Sequence, residues 1–134
     1  MPRLKALVVD DNAVNRMVLS RLLERDKHEV VEVANGREAI DYIGANSLDV
    51  VLMDIQMPEM DGLTAARKIR ELKGDKSRLP IIAITANTSK EEQEKALKSG
   101  MNGFVGKPFR YDELVHELQL TLHPALASRS ATPH

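Results

Sequence analysis

Four short apolar runs punctuate the chain, and each ends on a polar residue able to do chemistry. Ala6-Leu7-Val8-Val9 runs into Asp10 and Asp11, Val50-Val51-Leu52-Met53 into Asp54, Ile81-Ile82-Ala83-Ile84 into Thr85, and Gly103-Phe104-Val105-Gly106 into Lys107. Uninterrupted apolar runs of this length read as strands buried on both faces, as in a parallel sheet. The third strand is expected over Asp49–Met53, and a further short strand near Glu29–Val33. The stretches between them change to helical spacing. Val14, Met17, Val18 and Leu22 predict a helix over roughly 13–26 with these residues as its apolar stripe. Asn35 followed three residues later by Glu38 reads as a capping box, opening a helix with Ala39, Ile40 and Ile43 inward.

The breakers Pro58, Asp61 and Gly62 lead into a third helix over roughly 62–72, with Leu63, Ala66 and Ile69 inward. Ser89 with Glu92, or Thr88 with Glu91, would cap a fourth helix that stops at Gly100. Tyr111, Leu114, Val115, Leu118 and Leu122 stripe a fifth. Five strands, each followed by a helix, imply an α/β fold: a doubly wound five-stranded parallel sheet with five flanking helices. Right-handed crossovers leave few topologies. The order 2-1-3-4-5 puts its switch point between strands 1 and 3, whose ends carry Asp10-Asp11 and Asp54, and ligands of open α/β sheets bind at such points. One domain is expected over 4–123, followed by a disordered tail over 124–134.

Composition narrows the function without choosing it. At 134 residues the chain has the length of one domain, and its formal net charge of −1 argues against a broad grip on nucleic acid. There is no cysteine, hence no disulfide, thiolate nucleophile or Cys-based metal site. No apolar stretch approaches the ~20 residues of a membrane span. The segment Leu4–Val9 is also too short for a signal-peptide core, so a cytoplasmic location without membrane contact is expected. His28, His116, His123 and His134 lack partners at metal-ligand spacing and read as solvated surface. The run Lys90–Lys98 reads as a solvated helix with pairs such as Glu91–Lys95 and Glu94–Lys98.

The polar strand ends carry the chemistry. Three carboxylates in one crevice repel one another unless a cation joins them. Asp10, Asp11 and Asp54 offer the hard oxygens that Mg²⁺ takes together with water and substrate oxygens. A carboxylate can attack phosphorus to give an aspartyl phosphate, and that transfer needs mainly positioning and neutralised oxygen charge. Asp54, alone at its strand end, is assigned as nucleophile. Asp10 and Asp11 are metal ligands, Lys107 pairs with a phosphate oxygen, and the Thr85 hydroxyl bonds another.

Val8-Val9-Asp10-Asp11-Asn12, Met53-Asp54-Ile55-Gln56-Met57-Pro58-Glu59-Met60-Asp61-Gly62, Ile84-Thr85-Ala86 and Lys107-Pro108-Phe109 resemble, in order and spacing, the signatures of the response-regulator receiver domain. The resemblance implies that Asp54 accepts a phosphoryl group from a phosphohistidine of a histidine kinase or histidine phosphotransfer protein. It implies self-catalysed phosphorylation and dephosphorylation without classical enzymatic turnover. It also implies that the Gln56 backbone carbonyl completes the protein ligands of the metal and that Lys107-Pro108 holds a cis bond. Thr85 and Phe104 match the family's switch pair. Phenylalanine stands where tyrosine is often found, so readout would work through packing alone. Gln56 and Asn87 occupy the positions that vary to set the lifetime of the phosphoryl group.

The run Asp11-Asn12…Asn15-Arg16 and the Met53–Pro58 segment look more like receivers of hybrid sensor kinases than like a stand-alone regulator, which remains the alternative context. A haloacid-dehalogenase-type phosphatase is disfavoured, because Gln56 stands where that class needs a second aspartate as general acid. A flavodoxin-like carrier is disfavoured by acids in the first strand-to-helix turn, where a phosphate cradle wants Ser, Thr or Gly.

Overall fold

In the computed structural model, which describes residues 3–58 and 60–122, five strands form one parallel sheet in the order β2-β1-β3-β4-β5. They are β1 (Lys5–Val9), β2 (Glu29–Val33), β3 (Val50–Asp54), β4 (Ile81–Thr85) and β5 (Gly103–Gly106). Helices α1 (Ala13–Arg25), α2 (Gly36–Ala45), α3 (Gly62–Arg70), α4 (Lys90–Lys98) and α5 (Tyr111–Leu122) alternate with them. A short 3₁₀ turn, Gly74–Arg78, joins α3 to β4. The expected doubly wound sheet with five flanking helices is the observed one.

The apolar runs fall at the centre of the sheet, where both faces are covered. Leu7, Val9, Val51, Met53, Ile81 and Ala83 pack on one side against Ala39 and Ile43 of α2, Ala65, Ala66 and Ile69 of α3, and Ala96 of α4. Ala6, Val8, Val50, Leu52, Ile82 and Ile84 pack on the other side against Leu19 and Leu23 of α1 and Leu114 and Leu118 of α5. Strand alternation makes this division: successive residues face opposite layers. In register, Val9 lies beside Met53 and Asp54 beside Ile84, so the polar strand ends emerge at one edge.

The caps follow the sequence. Asn12 caps α1 by accepting from the Asn15 N–H, and Asp61 caps α3 by accepting from the Thr64 N–H. The Asn35 side chain accepts from the Glu38 N–H at 2.8 Å, and the Glu38 carboxylate accepts from the Ala34 N–H at 2.8 Å. At α4 the cap is Ser89, which accepts from the Glu92 N–H.

Four expectations need correction. The apolar stripe of α1 lies on its outer side: Val14, Met17 and Val18 are 61%, 41% and 50% exposed, while Leu19 and Leu23 are buried. The helix carries apolar residues around much of its circumference, and the i,i+4 pair Leu19/Leu23 is the one that meets the sheet. His28 is buried, at 7% exposure. Lys27 adopts a positive φ of 69°, the turn swings His28 inward, and its Nδ1 accepts from the Leu4 N–H at 3.0 Å. Helix α3 ends at Arg70 rather than near 72; Ala66 and Ile69 are buried as expected, Leu63 packs half-buried against the same layer, and Ala65 is buried with them. On α4 the acids cluster in the first turn and the lysines in the last; among the described residues the pairs Glu91–Lys95 and Glu94–Lys98 do not close as ion pairs within 4 Å. His123, His134 and the expected tail over 124–134 lie outside the described residues.

Candidate functional site

Asp10 follows the last residue of β1, Asp54 and Thr85 end β3 and β4, and Lys107 follows β5. The parallel register therefore brings residues from four distant segments to one edge of the sheet. The Lys107 ammonium lies 3.2 Å from Asp10 Oδ2 and 3.7 Å from Asp54 Oδ2. Asp10 Oδ1 accepts from the Asn12 N–H at 2.8 Å, and Asp54 Oδ1 accepts from the Gln56 N–H at 3.2 Å. One carboxylate oxygen each from Asp10, Asp11 and Asp54 lies within 4.8 Å of the others. Asp10 and Asp54 are buried; Asp11 stands at the solvent side.

The electrostatics follow from that crowding. Burial pushes the Asp54 carboxyl up to about 6, against the opposing pull of Lys107 and the Gln56 N–H, and the charges of Asp10 and Asp11 push the same way as burial. A single ammonium thus leaves the cluster short of positive charge. Three hard oxygen donors with one side open to water fit Mg²⁺, which keeps several waters and takes few protein carboxylates. The β3–α3 loop closes back on the strand end, where the Gly62 N–H donates to the Ile55 carbonyl at 2.8 Å. That loop needs glycine at 62: a Cβ there would collide with the Asp54 carbonyl oxygen and reach 2.9 Å from Ile55 Cα.

Thr85 is buried one residue beyond the Asp54/Ile84 pairing, and its Oγ1 accepts from the Asn87 N–H at 3.1 Å. The Asn87 side chain accepts in turn from the Ser89 N–H. Phe104 pairs with Ala83 in register, so it shares a sheet face with Ala83 and Thr85 and packs half-buried against that layer. Its ring borders a pocket of about 190 Å³ that also touches Ala96, Leu97, Met101 and Glu117. The Lys107-Pro108 bond is cis. On the other flank of the acids, Asn15, Val18, Leu19, Pro108 and Phe109 line a groove of about 350 Å³ with Asp10 and Lys107 at its end.

Asp10, Asp11, Asp54 and Lys107 thus share one cleft, Thr85 ends the adjacent strand, and Phe104 and Asn87 stand farther along the β4–β5 side. The motif residues did not disclose the role of Arg16, whose Nη1 donates to the Asp10 carbonyl at 2.6 Å. Its place six residues after Asp10, in the opening turns of α1, is a signal that spacing alone leaves ambiguous.

The family model for the response regulator receiver domain matches residues 6–119. The chain belongs to this family. Hybrid signal transduction histidine kinase L of Dictyostelium discoideum is 44% identical to this receiver over 115 residues, 82% of the chain and 7% of the kinase. The receiver spans between 6% and 16% of the length of the curated relatives it matches most strongly. Among solved structures, the receiver domain of sensor histidine kinase PA1611 from Pseudomonas aeruginosa PAO1 superposes with a TM-score of 0.82 at 36% identity, covering 90% of this chain and 98% of that one. That protein carries a magnesium ion coordinated in its active site cleft. The receiver domain of Ssk1 from Saccharomyces cerevisiae, crystallised with the histidine phosphotransfer protein Ypd1, has a TM-score of 0.82 at 29% identity and covers 90% of both chains. The chain is therefore a phosphoacceptor receiver domain whose acidic cluster suits Mg²⁺. No helix among the described residues is long and apolar enough to cross a membrane.

Proposed function

We propose that Asp54 takes a phosphoryl group from a phosphohistidine and that the remaining strand-end residues serve this one transfer. The observation that carries the reading is the meeting of three carboxylates within 4.8 Å of one another at the end of the sheet, with the Lys107 ammonium within 3.7 Å of two of them, Asp10 and Asp54. An Asp54 carboxylate oxygen attacks phosphorus; a P–O bond forms as the P–N bond of the phosphoimidazole breaks, and its electron pair returns to the ring nitrogen. A divalent ion held by Asp10, Asp11, Asp54 and the Gln56 carbonyl supplies neutralisation of phosphoryl oxygen charge when bound. Lys107 then leaves its two aspartates for a phosphoryl oxygen, since the ammonium sits between both carboxylates and needs little movement. Burial keeps Asp54 away from bulk water, which strengthens each of these charge contacts.

Thr85 is the hydroxyl that reads the product. Its Oγ1 accepts from the Asn87 N–H, a bond that leaves the hydroxyl's own O–H able to donate to a phosphoryl oxygen. Drawing the hydroxyl toward Asp54 opens space behind it on the face it shares with Phe104. The phenyl ring, lacking a hydroxyl, follows by packing. Gln56, with its side chain exposed over the site, and Asn87, in the β4–α4 loop, set how readily water reaches the acyl phosphate.

The donor is a histidine kinase or a histidine phosphotransfer protein, and the context is a hybrid sensor kinase. Both rest on the company the chain keeps: hybrid kinases among its relatives, and the Ssk1 receiver that binds Ypd1. Val18 lines the groove that also touches Asp10 and Lys107, and with Val14 and Met17 it gives α1 an exposed apolar side for a docking partner. Intact mass after incubation with acetyl phosphate and Mg²⁺ tests the central step. One added phosphoryl group is expected on the parent and none on Asp54→Asn; no addition to the parent, or the same addition to the variant, would refute it.

A further inference from the structure

We propose that Arg16 is a positioning residue for the metal ligands: its guanidinium pins the peptide plane between Asp10 and Asp11 and so aims the Asp11 carboxylate into the cleft. This deepens the reading of the acidic cluster as a Mg²⁺ site and rests on it.

Every atom of Asp10 able to hydrogen-bond is held. Its N–H donates to the Val33 carbonyl at 3.3 Å, Oδ1 accepts from the Asn12 N–H, and Oδ2 faces Lys107. Its carbonyl oxygen accepts from Arg16 Nη1 at 2.6 Å. Asp11 is the opposite case. It is exposed, and among the described residues no donor holds its carboxylate, yet that carboxylate offers an oxygen within 4.8 Å of the Asp10 and Asp54 oxygens. With no donor to hold the side chain, the backbone alone sets the point from which the Asp11 carboxylate can reach the cleft. The peptide unit is planar, so fixing the Asp10 carbonyl fixes the Asp11 nitrogen and the origin of its side chain.

Arg16 is itself well anchored. It sits in the opening turns of α1, where its own N–H donates to the Asn12 carbonyl at 3.0 Å. Its Nε lies 3.5 Å from Glu32 Oε1 on β2, and only 19% of its side chain is exposed. The guanidinium therefore ties α1, the end of β1 and β2 together at the turn that carries both acids. The rigid planar fork of arginine holds Nη1 on the Asp10 carbonyl and Nε toward Glu32 at a fixed separation, a geometry that the compact point charge of lysine does not reproduce.

Charge and geometry make opposite predictions, which gives the proposal its test. A cation beside an acidic cluster opposes metal binding, so simple loss of charge at 16 would tighten Mg²⁺. Loss of the pin would loosen it, and partners that orient metal ligands typically matter by ~10- to 100-fold in affinity. Mg²⁺ titration of the full chain, followed by amide chemical shifts, is expected to show a dissociation constant raised about tenfold in both Arg16→Ala and Arg16→Lys. Lysine keeps the charge but loses the fork. The Mg²⁺ concentration that half-saturates phosphorylation by acetyl phosphate should rise by the same factor, while the rate at saturating Mg²⁺ returns to that of the parent. Glu32→Ala, which frees the guanidinium from β2, should give a smaller loss and carries the test if the Arg16 variants do not fold. A parent that binds Mg²⁺ with variants of equal or tighter affinity overturns the role of Arg16 alone; a parent that binds no Mg²⁺ overturns the metal site as well.

Discussion

Lys107 Nζ stands 3.2 Å from Asp10 Oδ2, two residues 97 positions apart in the chain that meet because β5 and β1 end at the same edge of one parallel sheet. The same ammonium is 3.7 Å from Asp54. It is the counter-charge of the metal-free cluster. Removing one partner of a mostly buried charge group leaves the others uncompensated, the costly half of any such pair. Lys107→Ala is expected to fold but to lose about 1–3 kcal/mol in the presence of chelator, tempered by the partial exposure of the lysine. Mg²⁺ should restore much of that loss, since it replaces the missing positive charge. Urea unfolding with and without Mg²⁺ reads both effects. In the phosphorylated variant, amide shifts around Phe104 should stay close to their unphosphorylated values; a normal response there would remove Lys107 from the switch.

Asp54 gives a pH signature of its own. Its carboxyl is pushed from 3.8 to about 6 by burial first and by its acidic neighbours after that. The folded chain thus holds this proton more tightly than the unfolded chain. The contribution of the group to stability is complete below the unfolded value and is lost as pH rises through about 6. Asp54→Asn, which cannot ionise, is expected to stabilise the metal-free protein by about 1–3 kcal/mol at pH 7, and by little at pH 4. Thermal unfolding in chelator across that range checks it. A variant no more stable than the parent at pH 7 would mean the three acids are not strained together.

His28 titrates in the opposite sense. Burial holds its pKa below 6.5, outweighing the opposing charge of Asp26. Its Nδ1 must stay unprotonated to accept from the Leu4 N–H. A depressed pKa contributes stability that is present above 6.5 and lost as pH falls through the folded value. The two effects overlap in the parent, so the clean measurement is made on the Asp54→Asn background. There, stability should fall as pH drops below 6.5, and adding His28→Asn, whose side-chain oxygen can accept the same hydrogen bond without titrating, should flatten that slope. A slope that survives the second substitution would assign the effect to another group.

The parts of this fold legible in the sequence are those where one physical demand overrides all others. Strands buried on both faces admit few polar residues, so β1, β3 and β4 stood out as continuous apolar runs, and their ends located Asp10, Asp54 and Thr85. The helix cap was equally plain at Asn35, because short polar side chains meet unpaired N–H groups there; at α4 the sequence offered Ser89 and Thr88 alike, and the structure uses Ser89. Helix α1 was harder. Val14, Met17, Val18, Leu19, Leu22 and Leu23 supply two stripes of similar quality, and periodicity cannot say which one the sheet will cover. His28 depended on the positive φ of Lys27, a conformation unusual for lysine and invisible to pattern. The 3₁₀ turn before β4 depended on Arg70, whose guanidinium donates to the carbonyls of Ser77, Leu79 and Gly100. Long side chains that satisfy distant backbone groups leave no local trace, and the contact of Arg16 with the Asp10 carbonyl stayed hidden for the same reason.

The exposed stripe of α1 supplies the last prediction. Val18 is half exposed, makes no contribution to either core layer, and lines the groove that ends at Asp10 and Lys107. If a protein donor docks on this surface, as proposed, it meets Val18 on the way to Asp54, whereas acetyl phosphate is small enough to enter without touching it. Val18→Lys should therefore leave the unfolding midpoint within about 0.5 kcal/mol of the parent, as is usual for surface positions. It should leave phosphorylation by acetyl phosphate unchanged and slow transfer from a phosphorylated histidine phosphotransfer protein by roughly tenfold, the equivalent of about 1.4 kcal/mol in the docked complex. Radiolabel transfer between the two purified proteins measures the second rate, and mass spectrometry the first. Equal slowing of both would point to damage at the acidic cleft, and slowing of neither would place the docking surface elsewhere on the domain.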